Sequence, residues 1–296
     1  MSCYHPLQGY RTPGGVVFSA LSRHEILGDI EIPCGQCIGC RMRRASDWEL
    51  RVMHEASLHP QNCFVTLTYR RDALPPNSSL EHRDFQLFMK RLRKHFKQPV
   101  RFYMCGEYGP ENLRPHYHAC LFNCDFDDRD LAGKSGSGLA FFDSRVLSGL
   151  WGHGRVSVQD LTKETASYCA RYIMKKQLGR ESGKHYESID QDGEIITRRP
   201  EYAAMSLKPG IGARWFEKYR RDVFPHDFVI QGGVKRSPPR FYDKLLKRAK
   251  LQEQDAIEFA RQQRAKLAAS DNTDARRVVR ETVHLARVKN LTRNDL

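Results

Sequence analysis

No stretch of this sequence holds the roughly 18 to 20 uncharged apolar residues that a bilayer crossing needs, and Met1–Tyr10 lacks a charged-then-apolar leader pattern. These absences predict a chain that neither spans a membrane nor is secreted and that works in the cytoplasm. An intact phosphate-binding loop is missing too. Gly133-Lys134-Ser135 is its only fragment, and Asp128 stands where the first glycine belongs, which excludes helicase activity within the chain. Pro33-Cys34-Gly35-Gln36-Cys37 matches half of a zinc deaminase signature, but only adjacent His24-Glu25 precedes it in place of His-x-Glu, so a deaminase is excluded as well. Acidic residues are in deficit, with 35 Asp and Glu against 49 Lys and Arg and a net charge of +14. That excess points to a polyanionic partner such as nucleic acid, because neutralising phosphates releases counterions. Nine cysteines, an odd number without an export pattern, argue for reduced thiols or metal ligands over a disulfide framework.

The chain has no internal repeat and divides into three parts. Residues 1–60 form a Cys-rich, Arg-rich segment, 61–185 a patterned centre, and 186–296 a basic region ending in a helical tail. In the centre, Cys63–Tyr69 is β-branched and aromatic and reads as a strand, and the Pro75-Pro76-Asn77 break follows it. Phe85, Phe88, Leu92 and Phe96 recur at spacings of three and four, which predicts an amphipathic helix over 81–96. Val100–Glu107 and His116–Phe122, separated by Gly109, Pro110 and Asn112, read as a hairpin. A Gly/Ser stretch over 133–138, a short helix near Leu147, a strand over 155–158 and a helix over 162–176 complete an α+β domain. Asp160 or Thr162 can cap that last helix.

Two constellations carry chemistry. In Arg114-Pro115-His116-Tyr117-His118 a strand alternates its faces, so His116 and His118 point the same way. Glu107, across the hairpin, brings a carboxylate to them, and two histidines with one carboxylate leave open positions on a divalent cation. The bland alternative is a pair of hydrogen-bonded surface histidines, and His153 is a weaker reserve ligand. The second constellation is Tyr168-x-x-x-Tyr172, set opposite an apolar helix face of Ala166, Cys169, Ala170, Ile173 and Met174 and flanked by Arg171, Lys175 and Lys176. Helix-surface stacking is the plain account of such a pair. A phenol becomes a nucleophile near neutral pH only with cationic neighbours, a base or an activated electrophile.

His116-Tyr117-His118 followed by Tyr168-x-x-x-Tyr172 resembles the HUH rolling-circle replication initiators that use two tyrosines, and Phe64-Val65-Thr66-Leu67-Thr68-Tyr69 resembles their first motif. Cys3-Tyr4-His5-Pro6, the run Pro33–Cys40 and Pro238-Pro239-Arg240-Phe241-Tyr242-Asp243-Lys244 narrow the likeness to the replication proteins of gokushovirus-type microviruses. The resemblance implies a central antiparallel sheet with flanking helices of RRM or ferredoxin-like type. It further implies nicking and rejoining of origin DNA through a 5′-phosphotyrosine on Tyr168 or Tyr172, with Mg²⁺ or Mn²⁺ on Glu107, His116 and His118. Arg171, Lys175 and Lys176 would hold the strand, and a helicase and polymerase of the bacterial host would be partners. A non-catalytic single-stranded nucleic-acid-binding protein is the rival. Separately, Cys34-x-x-Cys37-x-x-Cys40 has the spacing of a Zn²⁺ knuckle, with Cys3 or His5 as fourth ligand; free cysteines or an iron-sulfur cluster are the alternatives.

Overall fold

The structure, a computed structural model, describes residues 3–21, 25–109, 112–136, 138–171, 186–189, 193–224, 226–249 and 253–289. The chain forms two compact units, one of Met1–Arg44 with Gln252–Thr292 and one built from Ala45–Leu251. Among the described residues no helix is long and apolar enough to cross a membrane.

In the first unit, β1 (Leu7–Thr12), β2 (Gly15–Val17) and β3 (Gly28–Ile32) form an antiparallel sheet in the order β2-β1-β3. The helix α1 (Ile38–Ala56) begins in this unit and ends in the other.

The second unit is organised on a seven-stranded sheet in which every neighbouring pair is antiparallel. Its elements are β4 (Asn62–Thr68), α2 (His82–His95), β5 (Arg101–Tyr108), β6 (Pro115–Phe122), β7 (Asp130–Lys134), β8 (Ala140–Asp143), α3 (Arg145–Trp151), β9 (Val156–Asp160) and α4 (Lys163–Arg171). Then come β10 (Glu187–Ile189), β11 (Ile195–Thr197), β12 (Tyr202–Met205), α5 (Ala213–Val223), β13 (Val229–Gln231), β14 (Val234–Arg236) and α6 (Arg240–Arg248), while α7 (Glu253–Leu267) and α8 (Asp274–Lys289) return to the first unit. The strand order is β12-β5-β6-β4-β9-β8-β7, so β12, far along the chain, supplies one edge.

Alternation along the central strands sends one set of side chains to each face. Val65, Leu67, Tyr117, Ala119 and Leu121 meet Phe85, Phe88 and Leu92 of α2 and Trp151 of α3. Phe64, Tyr103, Cys105, Cys120 and Phe122 meet Val52 and Ala56 of α1 and Ala166 and Cys169 of α4. The 3.6-residue spacing read in 81–96 is the buried stripe of α2, which starts where the Glu81 side chain accepts a hydrogen bond from the Arg83 amide at 2.9 Å. Thr162, not Asp160, caps α4: its hydroxyl accepts from the Thr165 amide at 3.4 Å, while the Asp160 carboxylate pairs with Arg129 at 2.6 Å. The Gly/Ser stretch 133–138 is the end and turn of the β7-β8 hairpin. Its strand character was hidden because β7, at the sheet edge, has four of its five residues exposed and carries no alternating pattern.

Candidate functional site

Strand register assembles the first site. Glu107 on β5 stands directly opposite His116 on β6, and β6 in turn places His118 opposite Thr66 on β4. His116 and His118, two residues apart, share a sheet face with Glu107. The Glu107 carboxylate receives both rings on one oxygen: Oε1 lies 2.7 Å from His116 Nε2 and 3.0 Å from His118 Nε2. The far nitrogens are held as well. His116 Nδ1 lies 3.1 Å from the Arg114 carbonyl and His118 Nδ1 3.0 Å from the Thr66 hydroxyl. These outer partners fix ring orientation, as they do around metal-bound histidines.

A carbonyl only accepts, so His116 Nδ1 carries the proton, and Nε2 of the neutral ring presents a lone pair to the carboxylate. Two acceptors 2.7 Å apart need a cation between them, either a proton or a metal ion. The three ligand atoms lie within 4.8 Å of one another, and Glu107 and His118 are buried. This donor set fits a divalent cation that keeps positions open for a substrate. Burial works against the charged form of Glu107, but its hydrogen bonds to His116 and His118 outweigh that and hold the carboxyl down at about 2.

A pH dependence follows. Because the folded value is depressed, the stability Glu107 contributes is present above the ordinary carboxyl value near 4.5 and is lost as pH falls through about 2. Urea unfolding of metal-free protein across this window should lose about 3 kcal/mol that the Glu107→Gln variant does not lose. Parallel curves for the two proteins would show that the carboxylate is not held by the histidines.

The helix α4 brings a phenol to this group. Ala166, Cys169 and Ala170 are fully buried, and Cys169 Sγ lies 3.5 Å from Cys105 Sγ and 3.8 Å from the His118 carbonyl. One residue before Cys169, the Tyr168 ring sets its edge against His118, with centroids 5.0 Å apart and planes at 87°. Phe64 stacks on the His118 ring at 5.5 Å and meets Tyr168 at 6.3 Å. Tyr168 is thus half-buried and packed on the sheet, not directed away from it, because its position lies only about 100° round the helix from Cys169. Arg171 ends α4, and Tyr172, Lys175 and Lys176 lie outside the described residues. His153 is not among the converging ligands; its ring lies 4.9 Å from Trp151 and 5.7 Å from Tyr69. Sequence reasoning passed over Thr66 and Gln159, whose sharing of this face could have been found by extending the His-x-His alternation to the neighbouring strands.

The first unit holds a second group of ligands. Cys3, Cys34, Cys37 and Cys40 bring four sulfurs within 4.8 Å of one another, with Cys3 to Cys34 at 3.7 Å and Cys3 to Cys37 at 3.9 Å. A tetrahedron with Zn–S bonds of about 2.3 Å has S···S edges of about 3.8 Å. Backbone amides point at the sulfurs: Cys34 N donates to Cys3 Sγ at 3.2 Å, Cys37 N to Cys34 Sγ at 3.3 Å and Tyr4 N to Cys37 Sγ at 3.4 Å. Burial opposes the Cys37 thiolate, yet the amide hydrogen bond from Tyr4 and those around Cys40 bring the thiol down to about 7. His5, the other candidate for the fourth position, instead pairs with Glu281 at 2.8 Å.

An antiparallel sheet carrying a His-x-His strand opposite a glutamate, with a tyrosine helix packed on it, defines a class, and residues 62–177 match the family model of the replication-associated protein ORF2. That span opens at β4 and contains both histidines, Glu107 and Tyr168. The chain is 31% identical over 258 residues to Replication-associated protein VP4 of Bdellovibrio phage phiMH2K, covering 84% of this chain and 78% of that one. It is 30% identical over 295 residues to Replication-associated protein ORF2 of Spiroplasma virus 4, covering 90% and 87%, and 29% identical over 226 residues to Replication-associated protein ORF4 of Chlamydia phage 1, covering 73% and 54%. The chain belongs to this family of phage replication-associated proteins, those of gokushovirus-type microviruses. No solved structure matches it.

Proposed function

We propose that the chain initiates rolling-circle replication of a small single-stranded DNA phage as an HUH-type tyrosine nickase and ligase. The observation that carries this is the contact of the Tyr168 ring with His118, whose Nε2 shares one carboxylate oxygen of Glu107 with His116. Glu107, His116 and His118 would hold Mg²⁺ or Mn²⁺, which when bound supplies positive charge for the oxygens of a phosphodiester. Tyr168 Oη attacks the phosphorus, the O–P bond to tyrosine forms as the P–O3′ bond breaks, and the phenolic proton leaves to solvent. The 3′-hydroxyl set free primes synthesis by a host polymerase, with strand separation by a host helicase, since this chain lacks a phosphate-binding loop of its own.

Rejoining needs the reverse transfer. Tyr172, one turn after Tyr168, would cleave the regenerated origin, and the liberated 3′-hydroxyl would attack the first phosphotyrosine and reseal the circle. Arg171, Lys175 and Lys176 would hold the strand and favour phenolate. Cys3, Cys34, Cys37 and Cys40 would hold a structural Zn²⁺.

The test is a covalent complex. Full-length protein, Mn²⁺ and labelled single-stranded origin DNA should yield an adduct that survives denaturant, and the Tyr168→Phe, Tyr172→Phe double variant should yield none. An adduct that persists in the double variant would assign the nucleophile elsewhere, and its absence from the parent would favour a binding protein without cleavage.

A further inference from the structure

Beside His118, on the same sheet face, lies a groove of about 240 Å³ lined by Thr66, Thr68, Phe141, Arg155, Ser157 and Gln159. Register explains the gathering. Thr66 stands opposite Ser157 and Phe64 opposite Gln159 across β4 and β9, while Thr66 also stands opposite His118 across β4 and β6. Phe142 pairs with Val158 on β9, so Phe141 falls beside Gln159. The Thr66 hydroxyl that holds His118 Nδ1 is therefore also part of the groove wall.

Three features define the ligand chemistry. Phe141 offers a flat apolar wall, and its ring rests on Gly133, where a Cβ would come within 2.9 Å of it. Gln159 is only 5% exposed, and among the described residues its amide has no hydrogen-bond partner. A buried donor and acceptor left without partners is costly, so this amide is built for something that enters the groove. Arg155 is exposed and adds positive charge. The volume falls below the roughly 300 to 1,000 Å³ of pockets for whole small molecules, and it suits one flat heterocycle. From β6 to β9 is two strand spacings, about 10 Å, within reach of a nucleotide whose phosphate lies at the histidines.

We propose that this groove is a base-reading pocket in which the nucleobase next to the cleaved phosphodiester stacks on Phe141 and is read at its edge by Gln159. The placement beside that bond rests on the nickase reading; the recognition of a base does not. Every base has a face to stack, so Phe141 gives affinity without preference, whereas the paired donor and acceptor of Gln159 discriminate.

The experiment selects binders from a pool of randomised single-stranded 12-mers with the full chain in chelator, so that no cleavage enters, and sequences what is retained. The parent should favour one base at one position by about tenfold. Gln159→Ala and Gln159→Glu should flatten that position alone, and Phe141→Ala should weaken binding of all sequences roughly tenfold, each with an unchanged circular dichroism spectrum. Base ratios that Gln159→Ala leaves unaltered would overturn the pocket even in a chain that forms the tyrosine adduct. Selection through Gln159 in a chain that forms no adduct would uphold the pocket and overturn the nickase instead.

Discussion

Replacing His118 with alanine should lower metal-dependent cleavage of single-stranded DNA by at least about a thousandfold while binding changes by no more than about threefold. The ring does three things at once. It shares the buried Glu107 oxygen with His116, it is steadied by the Thr66 hydroxyl, and it forms the wall against which the Tyr168 ring rests. Losing it opens the cation site and frees the phenol, and charge stabilisation of several kcal/mol at about 1.4 kcal/mol per decade gives the stated drop. Binding should persist because strand affinity comes mainly from phosphate contacts with lysine and arginine. Single-turnover cleavage beside fluorescence anisotropy separates the two quantities. Loss of both in step would reduce the protein to a nucleic-acid-binding module.

Removing the metal from the cysteine group should be equally severe for the first unit. Structural zinc in small peptides contributes about 10 to 16 kcal/mol of apparent binding energy near neutral pH, and that energy is folding energy where no other core exists. The β1-β2-β3 sheet is small and much of it is exposed, with Leu7, Val16 and Phe18 open to solvent, so its own burial stabilises it little. Elemental analysis should find one zinc per chain. Cys37→Ser, or prolonged chelation, should melt residues 3–40 in hydrogen exchange while amides of the central sheet strands β4, β5 and β6 stay protected. Protein that contains no stoichiometric metal, or whose N-terminal amides are indifferent to Cys37→Ser, would refute the knuckle.

The elements that carry the first site were legible because they obey simple periods. Cys63–Tyr69 alternates, and Phe85, Phe88 and Leu92 repeat with helical spacing. The interval from Glu107 to His116 contains turn residues that fold one strand back on the other. What could not be read depends on partners distant in sequence. In α1 the buried Leu50 and Val52 are mixed with Arg43, Arg44 and Arg51, and their inner face has meaning only once the sheet exists beneath it. The four-residue strand β12 owes its identity to pairing with β5 and shows no pattern of its own. Gln159 looks like any polar strand residue until its neighbours are in place. In the cysteine group the spacing of Cys34, Cys37 and Cys40 was plain, but choosing Cys3 over His5 required knowing that Glu281, far along the chain, engages His5.

That last pairing has a consequence for biosynthesis. Tyr4 bonds His284 at 2.9 Å, His5 bonds Glu281, and Glu31 bonds Arg277, so residues made early are completed by residues made late. On the ribosome the segment around Cys3 and Cys34 must wait, with its thiols accessible, until about 250 further residues have emerged, a delay of roughly 10 to 50 seconds at 5 to 20 residues per second. The sheet that carries Glu107 and the histidines can close well before then, so a nascent chain would own its cutting centre before these two distant segments have met.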